Sequence, residues 1–264
     1  MLRRGLEFVL LILLVGVVPA TAQTPAAILA PTGTLRAVFL GGNPVQGRID
    51  PATGAASGVV PDLIRELARS LGVPASILSR PYAADVAAVV TSGAADIGFL
   101  AYDEDRAREV DFGRPFLMML NSYLVRADST LQSSAEVDRP DVVVAAVRGQ
   151  SQQLFVSREL KMARIRVLDE VLPQAGIERL LLADGVDALA INRQRSLDAA
   201  AASGERLRVL PDSFFSVGQA IVVDRGNRAK TALLDRFVSD MLTSGFVRAA
   251  IERANVASAA TAAN

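Results

Sequence analysis

Seven short apolar runs, separated by helical stretches and turns, constrain the fold of this 264-residue chain more than any other feature. Residues 34–40 (TLRAVFL) are apolar at nearly every position, as a strand covered on both faces must be. After a Gly/Pro/Asn-rich loop, Pro61 and Asp62 open a helix. Its stripe of Leu63, Ile64, Leu67, Ala68 and Leu71 is closed by Gly72. A strand (ASIL, 75–78), a helix over 85–91 ended by Gly93, and another strand (DIGFL, 96–100) follow. The pattern then restarts. Strands are expected at 141–147, 164–168, 186–191 and 206–210, with helices over 151–161, 170–184 and 193–202 between them. Strand and helix alternating at this spacing build mainly parallel sheets with helices on both faces.

Two such units predict an α/β protein of two lobes. The extended segments 121–127 and 217–224 lie at their borders, and two β-like crossings make a hinge. The first lobe is expected to comprise residues 23–122 and 220–264, and the second 123–219. Helices over 227–244 and 245–254 would return to the first lobe. A mobile start (23–31) and a frayed Ala-rich tail after Asn255 complete the expectation.

Residues 1–22 read as a leader to be removed. Arg3 and Arg4 precede an apolar run (8–18) short for a bilayer, and Ala20-Thr21-Ala22 offers a small-x-small cleavage site. An uncleaved anchor is the alternative reading. With no cysteine anywhere, a lipid cannot be attached to a new N-terminal Cys, and no disulfide staples the fold. The core must hold by burial alone, which about 240 residues allow, since a chain of that size hides roughly 70–75% of its unfolded surface. The leader carries Arg3, Arg4 and Glu7, so of 28 basic and 28 acidic residues 26 and 27 remain. That is no field for nucleic acid. Histidine is absent as well, which removes the commonest general base and, with cysteine, the commonest transition-metal ligands. No metal or cofactor is therefore expected.

Ligands of open parallel sheets bind beyond the carboxyl ends of the strands. The loop after the first strand, GGNPVQG, offers Asn43. Lacking Gly-Lys-Ser/Thr, it is no nucleotide cradle. After DIGFL come Ala101, Tyr102 and, within a run of charges, Arg106. After 141–147 come Gly149, Gln150 and Ser151 at a helix start, where free N–H groups favour an anion. Asn192 follows 186–191. Each has a plainer reading. Arg106 could belong to a surface ion-pair cluster, Gln150 and Ser151 could cap their helix, and Asn192 could cap the next. Tyr82 and Phe214-Phe215 read as packing, Arg108 as a surface charge, and Asp96 and Asp187 as supports of strand starts.

Three stretches carry a resemblance in their order and spacing. They are residues 58–73 (DLIRELARSLGV after Gly58), residues 92–116 (SGAAD followed by VDFGRPF), and DGVDALAINR (184–193) with SGFVRAAIER (244–253). From Gly33 to Glu252 the layout resembles the type II periplasmic solute-binding proteins of ABC importers, specifically the polar amino acid-binding family. The resemblance implies a two-lobed periplasmic binding fold and capture of a solute for a membrane permease. It also implies that Arg106, six residues before Phe112, grips the ligand's carboxylate through paired charge-assisted bonds.

Two departures qualify the ligand. Five residues after Asp187, where the family places an aspartate for the ammonium, stands Asn192, withdrawing a partner worth about 1.5–3 kcal/mol. The loop aromatic is replaced by Asn43-Pro44-Val45-Gln46, and a segment two residues short puts Tyr102 where a small residue is usual. The expected contacts are Arg106, Tyr102, Asn192, Ser151, Gln150, Gly149, Asn43 and Ala101, around a small carboxylate-bearing solute, amino acid or related organic acid. The expected product is an exported monomer, without lipid anchor, that closes by hinge motion. The competing classes are a periplasmic enzyme on the same fold, resembling cyclohexadienyl dehydratase, and a partner that presents its ligand to a membrane sensor.

Overall fold

The computed structural model describes residues 23–256 and 258–263; the expected leader lies outside them. The chain opens with α1 (Pro25–Leu29), β1 (Leu35–Leu40), a small hairpin of β2 (Arg48–Ile49) and β3 (Ala56–Ser57), and α2 (Val59–Leu71). Next come β4 (Ala75–Arg80), α3 (Ala83–Thr91), β5 (Ile97–Ala101) and the long β6 (Val110–Arg126). The second lobe holds β7 (Val143–Val147), α4 (Ser151–Glu159), β8 (Arg164–Leu168), α5 (Gln174–Leu182), β9 (Ala188–Asn192), α6 (Arg193–Ala202) and β10 (Leu207–Val209). The chain then returns through β11 (Phe215–Asp224), α7 (Arg228–Thr243), α8 (Phe246–Arg253) and β12 (Ala259–Thr261).

The strands form one twisted path, β4-β1-β5-β11-β6-β9-β7-β8, with β10 and β12 attached to β6. Its outer thirds are parallel: β1 with β4 and β5, β7 with β8 and β9. Its centre is antiparallel, because β6 and β11 are the two crossings between lobes. Asn121 marks the crossing point. It pairs with Phe215 on one side and with Asn192 on the other, and is fully buried. The fold is thus α/β and two-lobed, each lobe a sheet covered by helices.

Each lobe has a core on both sides of its sheet. In the first, Phe39, Leu63, Ile64, Phe99 and Phe116 pack beneath α2 and α8, while Val38, Val86, Val90, Leu100 and Val222 pack beneath α3. In the second, Tyr123, Val144 and Val156 lie on one face and Leu124, Ile177, Leu181 and Leu189 on the other. Each such side chain, fully buried, contributes about 1.5–3 kcal/mol. The predicted stripe of α2 faces inward at Leu63, Ile64, Leu67 and Ala68, and Gly72 ends the helix in the left-handed region, its N–H on the Ala68 and Arg69 carbonyls. Both lobes tie their strands with the same device. Asp96, just before β5, accepts from the Arg36 N–H at 2.9 Å and from its guanidinium at 2.6 and 3.1 Å. Asp187, just before β9, accepts from the Val143 N–H at 2.9 Å.

Four expectations are corrected. The start is a helical turn: Pro25 follows Thr24, whose Oγ1 accepts from the Ala27 N–H at 3.2 Å, and Leu29 is buried. The tail is not frayed: β12 adds antiparallel to β6 over Leu117–Met119, covering an edge whose N–H and C=O groups would otherwise lack partners. α4 ends at Glu159, and α5 starts only after Pro173, which leaves residues 170–172 as a loop. The return crossing also lies earlier than position 217. Phe215 opens β11 and touches both lobes, packing against the first core and stacking on Phe155 of α4 at 4.4 Å, while Val217 lies in the first core.

Candidate ligand-binding cleft

The carboxyl ends of β1, β5, β7 and β9 converge between the lobes on a cavity of about 530 Å³ of empty space, part of it open to solvent. On the first-lobe side, β5 ends at Ala101 and the chain turns at once. The turn is built from within by Asp103, a buried carboxylate whose Oδ1 accepts from the Asp105 N–H at 3.0 Å and the Arg106 N–H at 3.4 Å. This aims Arg106 back over the strand end, where its Nη1 donates to the Ala101 carbonyl at 3.0 Å. Its Nη2 crosses the cleft to the Gly149 carbonyl at 2.5 Å. Burial pulls this guanidinium below its ordinary pKa, and the neighbouring Asp103 carboxylate acts against that shift. Glu104, Asp105 and Arg108 stay at the surface, Arg108 reaching Asp105 at 3.5 Å.

On the second-lobe side, β7 runs into α4 through Gly149, whose φ of +68° turns the chain in a conformation costly for other residues. Gln150 takes the N-cap position without capping through its side chain; instead Gln153 Oε1 accepts from the Gly149 N–H at 3.0 Å. The first N–H groups of α4 and the buried Ser151 are thereby left facing the cavity. Asn192 does cap α6, accepting at Oδ1 from the Arg195 N–H at 2.8 Å, and it also lines the cavity. Two further contacts hold the lobes together. Arg158 Nη1 reaches Asp103 Oδ2 at 3.2 Å, and Gln152 Nε2 donates to Asn121 Oδ1 at 2.5 Å.

Of the eight expected contacts, Asn43, Ala101, Arg106, Gln150, Ser151 and Asn192 line the cavity. Gly149 contributes its carbonyl to Arg106 rather than wall. Tyr102 is a correction. It is half exposed and packs edge-on against Phe112 at 5.3 Å, so its ring leans on the outside of the turn. Side chains alternate along an extended chain, and with Ala101 facing the cavity Tyr102 faces away.

Sequence reasoning missed Arg195, Gln219, Gln152 and Met119 in the wall. Arg195 had a detectable signal, since it lies three residues after the cap Asn192 and so on the same helix face. Gln219 and its neighbour Gln46 had a fainter one, as polar residues in apolar surroundings. Both are fully buried, Gln46 Nε2 donating to Gln219 Oε1 at 2.8 Å and its Oε1 accepting from the Leu40 N–H at 3.0 Å. Among the described residues no helix is long and apolar enough to cross a membrane, and no group of acids is placed to hold a metal ion.

Solved structures share this architecture. One of the solute receptors for L-cysteine of Neisseria gonorrhoeae superposes with a TM-score of 0.73 at 22% identity, covering 89% of this chain and 95% of that one. A putative ABC transporter binding component from Wolinella succinogenes, complexed with lysine, gives 0.71 at 20% identity, with 84% and 95% covered. The ancestral amino acid-binding protein AncCDT-1, a precursor of cyclohexadienyl dehydratase, gives 0.69 at 22% identity, with 88% and 99% covered. Likeness at these identities establishes the fold. No curated protein sequence matches the chain. The sequence pattern of a family does match, over residues 40–254, and with that span the chain belongs to the bacterial extracellular solute-binding proteins, family 3.

Proposed function

We propose that this protein is the periplasmic receptor of an ABC importer, exported by a cleaved leader, and that it closes as a monomer on a small carboxylate-bearing solute. The observation that carries the reading is Arg106. Its guanidinium bridges the two lobes and faces a cavity whose wall contains no acidic side chain. A carboxylate entering between β5 and α4 can take two parallel bonds from Arg106 in place of the Gly149 carbonyl, and further donors from the start of α4. Because donors from both lobes meet on one ligand, the ligand has a higher affinity for the closed state and shifts the population towards it. β6 and β11 at Asn121 and Phe215 are the proposed hinge.

An enzyme on this fold needs a group in the cleft able to take or give a proton. The cavity wall holds no Asp, Glu or Tyr, and the chain has no His or Cys, which favours binding over catalysis. The test is a thermal-shift screen against amino acids and matching des-amino acids, with Arg106→Lys alongside. A ligand at a hundredfold over its Kd stabilises by about 2.7 kcal/mol. The expected result is a carboxylate-dependent shift that Arg106→Lys removes or cuts by at least half. Absence of any shift with carboxylates, or an unchanged one in the variant, refutes the reading.

A further inference from the structure

The cavity wall carries two guanidinium groups, one more than a single carboxylate needs. The second is Arg195, in the first turn of α6. Its Nη2 donates to the Leu172 carbonyl, and no other hydrogen bond of its guanidinium to the described residues is found. Its stem lies on the apolar wall of Val147, Leu172 and Ile191. Burial pulls its pKa below the ordinary value, with no carboxylate acting on it. A half-buried cation without a counter-charge is costly, and two facing one cavity also repel each other. Such an arrangement is stabilised by an anion of matching charge.

The neutral groups of the wall point the same way. Three amides there have their oxygens committed within the protein. Asn43 Oδ1 accepts from the Val45 N–H at 3.1 Å, Asn192 Oδ1 from the Arg195 N–H at 2.8 Å, and Gln219 Oε1 from Gln46 Nε2 at 2.8 Å. Asn192 is thus left to present only its N–H hydrogens, and Gln219 has no stronger acceptor for its own than the Met119 sulfur at 3.9 Å. Gln152 does the reverse, donating to Asn121 and keeping one neutral carbonyl oxygen. Two helices, α4 and α6, also begin at this wall, adding the positive ends of their dipoles. The surface therefore offers many donors and two positive charges, with no anion to hold an ammonium.

We infer that the cleft takes a small dicarboxylate without an amino group, one carboxylate on Arg106 and the start of α4, the other on Arg195. This rests on the carboxylate reading of the cleft given above. The short apolar stretch of Val147 and Ile191 covers the methylene chain between the two acid groups.

Titration calorimetry at neutral pH with succinate and glutarate, butyrate and valerate, and glutamate tests it, on wild type, Arg195→Gln, Arg195→Lys and Arg106→Lys. The expected result is binding of at least one of the two diacids about 10–100-fold tighter than its monoacid counterpart. Arg195→Gln should weaken diacids by a larger factor than monoacids and so abolish that preference, and Arg195→Lys should retain part of it. The Lys variant keeps the charge, and thermal melts of both variants verify that they fold. Monoacids bound as tightly as diacids, equal weakening of both by Arg195→Gln, or glutamate bound more tightly than glutarate would each overturn the dicarboxylate inference. Such results leave the carboxylate reading standing if Arg106→Lys still abolishes binding. If Arg106→Lys changes nothing, the carboxylate reading itself fails and the inference with it.

Discussion

Asp103 is a buried carboxylate that shapes the proposed site without lining its cavity. It receives two backbone N–H groups of its own turn and the Arg158 guanidinium from the opposite lobe, so it directs Arg106 and ties the two lobes across the cleft. Asp103→Asn keeps one acceptor for the turn but loses the ion pair. Asp103→Ala loses both and leaves buried donors without partners, at about 1–3 kcal/mol. Calorimetry should therefore rank solute affinity as wild type above Asn above Ala. An Ala variant binding like wild type would show that Arg106 is positioned by other groups. Arg193 and Arg195 make the complementary point. Two residues apart on α6, they part ways, Arg193 Nη1 donating to Ser122 Oγ at 2.8 Å and Arg195 turning to the cleft.

Among the elements, β5 and α3 are fitted to each other through Gly98. A methyl group added there would lie 2.7 Å from Val90 Cγ2 and 3.0 Å from Val222 Cγ2, inside contact distance. Gly98→Ala should destabilise by about 1–3 kcal/mol. For a chain of this size that lowers Tm by about 2–4 °C per kcal/mol, readable in a thermal melt. The C-terminal strand gives a second prediction. Truncation before Ser258 removes β12 and the Ser258 carbonyl that accepts from the Leu120 N–H at 3.3 Å, baring the edge of β6 next to the proposed hinge. Melting of the truncated protein should begin at lower temperature, and hydrogen exchange should rise at residues 117–120 first. A tail without structural weight would leave both unchanged.

For the molecule as a whole, the absence of histidine sets the pH response. Several carboxyls sit below their ordinary range in the folded state. Burial opposes this at Asp212 and Asp224, but hydrogen bonds from Ser134 and Lys230 respectively prevail; at Glu66 the Arg69 guanidinium is the main cause. A carboxyl depressed on folding stabilises above its unfolded value and loses that contribution as pH falls through the folded one. Stability should therefore be flat from about pH 5.5 to 8, where no side chain with an ordinary pKa titrates, and should fall below about pH 4. Thermal melts across pH 3–8 check this. A transition near pH 6.5 would point to a strongly shifted acid not identified among these groups.

Much of this molecule is local in origin and so legible in its sequence. Strands buried on both faces must be apolar throughout, and the stripe and Gly72 of α2 follow from helical period and cap geometry, so the two α/β lobes and the strand ends that hold the cleft could be read directly. Arg106 could be singled out only through the family resemblance, because a charge cluster by itself reads as a solvated ion-pair network. Contacts between residues far apart in sequence were decided by tertiary structure alone. Nothing in the Ala-rich tail marks it as a strand, since its pairing groups are backbone and its partner edge lies some 140 positions away on β6. Gln46 and Gln219, 173 residues apart, become one buried pair only when β1 and β11 flank β5. Arg195 faces the same cavity as Arg106 because α6 starts where β9 ends, and the charge of a binding site is a sum over space, not over sequence.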